Sequence, residues 1–113
     1  MREAFLGIFI LVAVSCSSER PPDDVMDEGA MTNYLIDLHI AEAAVQNLRL
    51  KGDSAKTVFE IKEKQLLKKH HVTDSVFINS YNYYLDHPIM LEEIYSAVVD
   101  SISLRQSLIN EAK

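Results

Sequence analysis

The sequence predicts an all-α protein, a small bundle of about four helices behind an N-terminal signal peptide and a flexible tether. Three observations support this prediction. Apolar residues recur at three- and four-residue steps, capping residues mark each helix junction, and no stretch alternates in the manner of a β-strand. The chain has 113 residues, 48% of them hydrophobic and 25% charged, which is enough for one hydrophobic core.

The N-terminal segment is typical of a bacterial lipoprotein signal peptide. Residues 1–15 combine a short n-region, an apolar run over residues 4–14 and a small residue, Ser15, directly before the only cysteine, Cys16. As a helix, the apolar run would be roughly 16 Å long, about half the hydrocarbon thickness of a bilayer, which is too short for a transmembrane anchor. We therefore expect cleavage before Cys16 and its acylation, with palmitate among the acyl chains.

Residues 16–26 have the composition of a tether. The stretch 17–24, S-S-E-R-P-P-D-D, has no apolar side chain, and its two prolines favour extended geometry. We expect the helical domain, residues 27–113, to stay at a membrane of the bacterial envelope. The expected membrane is the outer one, with the domain facing the periplasm or the cell surface.

The first helix is expected over residues 28–51. Asp27 is its predicted N-cap, and Met26 and Met31 can form a hydrophobic staple across that cap. Gly52 is predicted to supply the left-handed residue after the helix.

The second helix is expected over residues 54–70, with Asp53 or Ser54 as its N-cap. Lysines in its last turn are favourably placed at the negative end of the helix dipole. His71 then occupies a position better suited to glycine.

The third helix is expected to begin after Thr73 as N-cap and to end near residue 86. It stops there because Pro88 disfavours helical geometry at the residue before it. Pro88 then opens the fourth helix, which is expected to continue to about residue 110.

Helical spacing also predicts the core, since each helix carries apolar residues at three- and four-residue steps. The first and fourth helices contribute Met31, Leu35, Leu38, Val45 and Leu48, and Leu91, Ile94, Tyr95, Val98, Ile102 and Ile109. The second and third contribute Phe59, Leu66 and Leu67, and Phe77, Tyr81, Tyr84 and Leu85. The short connections favour antiparallel packing of neighbouring helices.

Charge and composition argue against several classes of function. The net charge is −6 and no large basic cluster stands apart from acidic neighbours, which makes nucleic acid an unexpected partner. Only three glycines are present, so no phosphate-binding loop or nucleophile elbow can be identified. Acylation would consume Cys16, the only cysteine, which removes it as a candidate nucleophile. We therefore expect no catalytic residue and no enzyme activity. We also expect no cofactor and no bound metal.

Three motifs carry a resemblance to a known family. They are residues 37–43 (D-L-H-I-A-E-A), 69–73 (K-H-H-V-T) and 83–88 (Y-Y-L-D-H-P). Together they resemble an uncharacterised family of short bacterial lipoproteins, domain of unknown function 4296, over residues 25 to about 102. His71 stands where family members tend to have glycine. The resemblance implies a helical domain at a membrane and no activity, because none is established for the family.

His39 and Glu42 are candidates for a polar core contact or a ligand site. They are three residues apart on one helical face and could supply two metal ligands. Glu42 also falls on the apolar stripe of the first helix, which predicts a carboxylate against the core. A buried carboxylate needs a hydrogen-bond donor, and the candidates are His39, His87 and Tyr95. A polar core contact that fixes helix register is favoured over a metal or catalytic role.

Tyr83 and His87 are candidates for contact with a partner. Tyr83 falls away from the apolar stripe of the third helix, which predicts an exposed aromatic side chain. His87 and His70 flank helix ends, where capping and dipole contacts are sufficient to explain a histidine.

Three functions remain under consideration. The first is a noncatalytic accessory lipoprotein that binds another envelope protein, which predicts an exposed apolar patch bordered by the third and fourth helices. The second is a helical chaperone or substrate-holding module for exported polypeptides. The third is a metal-dependent hydrolase in which His39 and Glu42 converge with His70 or His87. The expected partners are the lipid bilayer, through acylated Cys16, and an envelope protein.

Overall fold

The computed structural model describes residues 21–112, which form four α-helices and no strand. The helices are α1 (Glu28–Asn47), α2 (Asp53–Lys69), α3 (Asp74–Leu85) and α4 (Pro88–Glu111). α1 packs against both α2 and α4, and α3 packs against α4. The predicted class, a small bundle of four helices, is confirmed. The predicted signal peptide and Cys16 lie outside the described residues.

α1 begins at its predicted cap but ends four residues earlier than expected. The Asp27 carboxylate accepts a hydrogen bond of 2.7 Å from the backbone N–H of Ala30. At the other end, Arg49 turns the chain with a left-handed φ of 51°. Gly52 also has a positive φ, but it precedes α2 as the N-cap instead of following α1. Residues 46–54 are all exposed, so no packing favours a longer helix.

α2 is the helix least buried in the bundle. Its N-cap is Gly52, so the predicted side-chain cap at Asp53 or Ser54 is wrong. None of its residues is fully buried, although Leu66 and Leu67 pack against the core cluster from outside. The attachment of α2 therefore depends on the half-buried face that it turns towards α1.

The C-terminus of α2 is closed by a Schellman motif. The Val72 N–H donates to the Leu67 carbonyl at 2.9 Å, and the His71 N–H donates to the Lys68 carbonyl at 3.2 Å. This pattern requires a left-handed residue between the helix and Val72, and His71 has φ 54°. The sequence-based expectation that this position suits glycine is confirmed.

α3 and α4 begin where the sequence predicts. The Thr73 hydroxyl accepts a hydrogen bond of 3.2 Å from the Val76 N–H, as expected for an N-cap. Pro88 lies in the first turn of α4, where its missing N–H has no intrahelical partner to lose. α3 ends at Leu85 and α4 at Glu111, each within one residue of its expected end.

The core lies where α1, α3 and α4 meet, and it confirms most of the predicted residues. The buried cluster consists of Met26, Met31, Tyr34, Leu35, Ile36, Tyr84, Ile94 and Val98. Other predicted residues pack around it, namely Leu38, Leu66, Leu67, Phe77, Leu91, Tyr95 and Ile102. Val45 is also buried, and it lies closer to the C-terminus of α1 than the residues of this cluster.

Four predicted core residues are exposed instead. Leu48 is 59% exposed and Ile109 60%, because both lie at helix ends outside the buried cluster. Tyr81 is 38% exposed and Leu85 50%, since they lie on the side of α3 away from that cluster. Periodicity alone does not distinguish an apolar face that has a neighbour from one that has none.

The segment before α1 is bound to α3 through the backbone of Met26. The Met26 N–H donates to Ser80 Oγ at 2.8 Å, and the Tyr84 hydroxyl donates to the Met26 carbonyl at 2.7 Å. Ser80 and Tyr84 are fully buried, and Met26 is only 6% exposed. Burial, with nearby Glu28 and Asp27, raises the pKa of Tyr84 to about 12, so its hydroxyl keeps the proton that it donates. Met26 therefore belongs to the folded domain, although the sequence placed it in the tether.

Replacing Ser80 with alanine should leave the buried Met26 N–H without a partner. We expect Ser80→Ala to lower the free energy of unfolding by about 1–3 kcal/mol, the usual cost of an unsatisfied buried donor. Urea denaturation followed by circular dichroism measures this loss. Ser96→Ala, at an exposed serine of α4, is the control and should change stability by no more than about 0.5 kcal/mol. Equal effects of the two substitutions would contradict the assignment.

The left-handed conformation of His71 predicts that a glycine at this position increases the stability of the protein. Because the side chain is exposed and φ is 54°, His71→Gly should remove backbone strain without losing packing. We expect stabilisation by about 0.5–1 kcal/mol, and destabilisation when valine replaces the histidine. Thermal denaturation measures both effects, and a lower midpoint for the glycine variant would refute the strain argument.

Candidate functional site

α1 presents Asp37, His39 and Glu42 at the surface of the bundle. The His39 Nδ1–H donates to Glu42 Oε2 at 3.1 Å, so the predicted pairing of these two residues is found. The side chains are 36% and 42% exposed, however, and the prediction that Glu42 lies against the core is wrong. The α1 part of the core cluster extends only as far as Leu38, and Ala41 beyond it lies in a groove facing α2. Glu42 therefore lies beyond the core cluster and keeps contact with solvent.

Tyr95 of α4 lies beside this pair. Its ring centroid is 6.2 Å from that of His39. Burial raises the pKa of the Tyr95 hydroxyl, and the neighbouring Tyr81 hydroxyl and the Glu42 carboxylate act in the same direction. The geometry therefore brings Tyr95, one of the predicted donors, near Glu42.

Asp37 forms a second polar cluster, which joins α1 to the end of α2. Its Oδ2 accepts hydrogen bonds of 2.8 Å from both Lys69 Nζ and His70 Nε2. The Asp37 and His70 side chains are each 17% exposed, whereas Lys69 is 65% exposed. Burial alone would raise the pKa of Asp37, but the hydrogen bonds and charges of Lys69 and His70 lower it. The carboxylate is thus held ionised between two donors.

Aromatic contacts position His70 in this cluster. Its ring meets Tyr34 of α1 edge-to-face, with centroids 5.3 Å apart, and Tyr34 also contacts Phe77 of α3 at 4.7 Å. Burial raises the pKa of Tyr34 to about 12, and the Glu63 and Asp74 carboxylates add to this effect. His70 was expected only to flank a helix end, yet it joins the end of α2 to α1, and Tyr34 extends this contact to α3.

Tyr83 and His87 form a stacked pair at the junction of α3 and α4. Their ring centroids are 4.1 Å apart with an interplanar angle of 22°, and His87 Nδ1–H donates to the Tyr83 carbonyl at 2.7 Å. Tyr83 is half-buried against the core cluster and also meets Tyr84 edge-to-face. The expectation of an exposed Tyr83 is wrong, because it packs on the core and stacks on His87.

The four histidines of residues 21–112 do not converge on a metal site. No group of three or more His, Cys, Asp or Glu side chains in this part of the chain is arranged to hold a metal ion. His70 is hydrogen-bonded to Asp37 and His87 is stacked on Tyr83. The further ligands that a metal-dependent hydrolase would need are therefore not assembled with His39 and Glu42 in the described residues.

A groove of about 320 Å³ lies between α1 and α2, next to the Asp37 cluster. Its apolar side chains are Ile40, Ala41, Ala44 and Leu66, and its polar ones are Asp37, Lys62, Gln65 and Lys69. The groove is open to solvent, and its Asp37 and Lys69 side chains already bind each other. It can accept an apolar group, and its other polar side chains, Lys62 and Gln65, are exposed to solvent.

The exposed large hydrophobic residues of α3 form one stripe, which consists of Ile78, Tyr81 and Leu85. These residues are 49%, 38% and 50% exposed and lie on one helical face. Val99 of α4, 59% exposed, lines a shallow groove with Tyr95, the neighbour of Tyr81. We name Ile78, Tyr81, Leu85 and Val99 the α3–α4 surface.

Sequence reasoning missed Asp37 as a site residue. Its partners lie 32 and 33 positions further along the chain, so no helical spacing connects them. One signal was available: Asp37 opens the first resemblance motif, and Lys69 and His70 open the second.

Comparison with known proteins identifies the family of this helical bundle. The family model described as "Domain of unknown function (DUF4296)" matches residues 22–107, and the chain belongs to this family. No curated protein and no solved structure matches the chain. Among residues 21–112, no helix is both long and apolar enough to cross a membrane.

The Asp37 cluster predicts a pH-dependent contribution to stability. Because the pKa of Asp37 is lowered in the folded state, its contribution is complete above the ordinary pKa of 3.8 and is lost as the pH falls through the lowered value. We expect Asp37→Asn to cost about 1–2 kcal/mol at pH 7, and the difference from wild type to narrow towards pH 2.

Urea denaturation at a series of pH values measures this dependence. The control is Asp100→Asn, at an exposed aspartate of α4, which should follow the wild-type profile closely. A difference between wild type and Asp37→Asn that stays constant from pH 7 to pH 2 would contradict the role of the ionised carboxylate.

Proposed function

We propose that this protein is a noncatalytic lipoprotein of the bacterial cell envelope, which binds another envelope protein through the α3–α4 surface. Cys16 is its proposed site of lipid attachment, and the outer membrane its proposed location. The observation that carries the proposal is the exposed apolar stripe on α3 together with Val99 on α4. An exposed apolar patch bordered by the third and fourth helices is what the hypothesis of an accessory lipoprotein predicts.

The composition of the α3–α4 surface favours a protein partner. It combines Tyr81 with three large aliphatic side chains, and aromatic residues are enriched at the centres of protein interfaces. Tyr81 also contacts the ring of Phe77, with centroids 6.2 Å apart, which limits its freedom before binding. A partly preorganised aromatic residue loses less conformational entropy when a partner covers it.

The polar clusters support a structural role over a catalytic one. Lys69 and His70 at the end of α2 both bind Asp37 of α1, and the His87 ring stacks on Tyr83. These contacts hold helix ends in place. The proposed activity therefore lies in the apolar surface that the scaffold presents.

The membrane part of the proposal rests on the sequence before the bundle. The apolar run of residues 4–14 and the small Ser15 before Cys16 favour a lipoprotein signal. A tethered domain gains effective concentration towards any partner in the same membrane. Weak binding by a small apolar surface would then be sufficient.

The proposal predicts that a charge in the α3–α4 surface abolishes partner capture. We expect full-length wild type, crosslinked in membranes and analysed by mass spectrometry, to retain one dominant envelope protein that Leu85→Glu loses by about tenfold or more. The control is Leu104→Glu, on the α4 end, where a 61% exposed leucine lies outside this surface. Cys16→Ala tests whether capture requires the anchor.

Two outcomes would overturn this function. Equal loss in both glutamate variants would show that the α3–α4 surface is not the binding site. Retention of many unrelated exported chains, without one dominant partner, would instead support a chaperone.

A further inference from the structure

The basic residues of this acidic chain are concentrated in one segment. Residues 49–69 contain seven of the eleven Lys and Arg residues and three of the seventeen Asp and Glu residues, for a net charge of +4. The rest of the chain carries a net charge of −10. The connection after α1 and the helix α2 therefore carry a net charge opposite in sign to that of the remaining chain.

The tip of the hairpin formed by α1 and α2 combines exposed leucines with cations. Leu48 is 59% exposed and Leu50 39%, and they alternate with Arg49 and Lys51, both exposed. The left-handed φ of Arg49 turns the chain at this point. These four residues lie in the exposed connection between the two helices.

The outer face of α2 also combines an exposed apolar side chain with lysines. Ile61, 51% exposed, shares one helical face with Lys64 and Lys68, whereas Leu66 lies on the side that meets α1. Glu63 is half-buried, and burial is the largest cause of its raised pKa, so its carboxylate is partly withdrawn from this face. Glu60 is the acidic residue that stays exposed next to Ile61.

We propose that the tip and the outer face of α2 form a membrane-contact surface for bilayers containing anionic lipid. This basic hairpin surface consists of Leu48, Arg49, Leu50, Lys51, Ile61, Lys64 and Lys68. The leucines enter the boundary between headgroups and acyl chains, while the cations bind lipid phosphates.

A bilayer fits this surface better than an acidic protein does. A protein partner needs a complementary face of roughly 800 Å² on each side, whereas the side chains of a short exposed connection can enter the soft interface of a bilayer. Alternation of leucine and cation within four residues suits a boundary where apolar and charged layers lie a few ångströms apart. Membrane contact through the basic hairpin surface requires neither acylation of Cys16 nor partner binding by the α3–α4 surface. A test that refutes one of these three proposals therefore leaves the other two standing.

Fluorescence tests the proposal directly, because the chain contains no tryptophan. We introduce Leu50→Trp into the full-length protein and add vesicles of phosphatidylcholine, alone or with phosphatidylglycerol. We expect a blue shift, and quenching by brominated lipid, on the anionic vesicles only. The matched control is Ile89→Trp, at a 74% exposed position of α4, which should show neither effect.

Removing the tip cations tests the electrostatic part. In the Leu50→Trp background, Arg49→Gln with Lys51→Gln should weaken partition into anionic vesicles by about 25-fold, since each basic residue near such a surface contributes about fivefold. Circular dichroism checks that the variant remains folded. Binding of Leu50→Trp to the anionic vesicles should also weaken as salt is added, because salt screens the attraction between cations and lipid phosphates.

Three results would overturn the proposal. They are an equal shift on neutral vesicles, no shift of Leu50→Trp on any vesicle, and an equal shift of Ile89→Trp. A soluble polyglutamate that reproduces the shift of Leu50→Trp would instead assign the surface to acidic polypeptides.

Discussion

The fold depends on the way buried Ser80 and Tyr84 hold the backbone of Met26. Both polar groups of one peptide segment are removed from water, and both receive a side-chain partner from α3. This contact joins residues 54 and 58 positions apart, so it brings the start of the domain against its third helix. Met26 then covers the cluster that Met31, Ile94 and Val98 complete.

α1 connects this contact to the rest of the bundle. Its N-terminal half supplies the centre of the core, and its C-terminal half lines an open groove with α2. The Asp37 cluster lies at the boundary between these halves and holds the end of α2, a helix without a fully buried residue. A charged contact thus compensates for the limited apolar burial of that helix.

The surfaces available for binding result from the same uneven burial. Where α3 and α4 face away from the cluster, Ile78, Leu85 and Val99 remain exposed. Where α1 and α2 extend past it, the chain exposes leucines among cations instead. The two surfaces differ in charge as well as position, which is why we propose a protein partner for the first and a lipid surface for the second.

The sequence by itself determined the four helices, most of their ends and the family, because these properties follow from local rules. Thr73 and Asp27 cap through hydrogen bonds to residues three positions away, and His71 takes the conformation that the end of α2 demands. Only the tertiary structure decided which apolar faces have neighbours and which polar residues meet. Glu42 follows the stripe yet is exposed, and Asp37 finds partners more than 30 residues away, because packing between distant segments leaves no periodic signal within a helix.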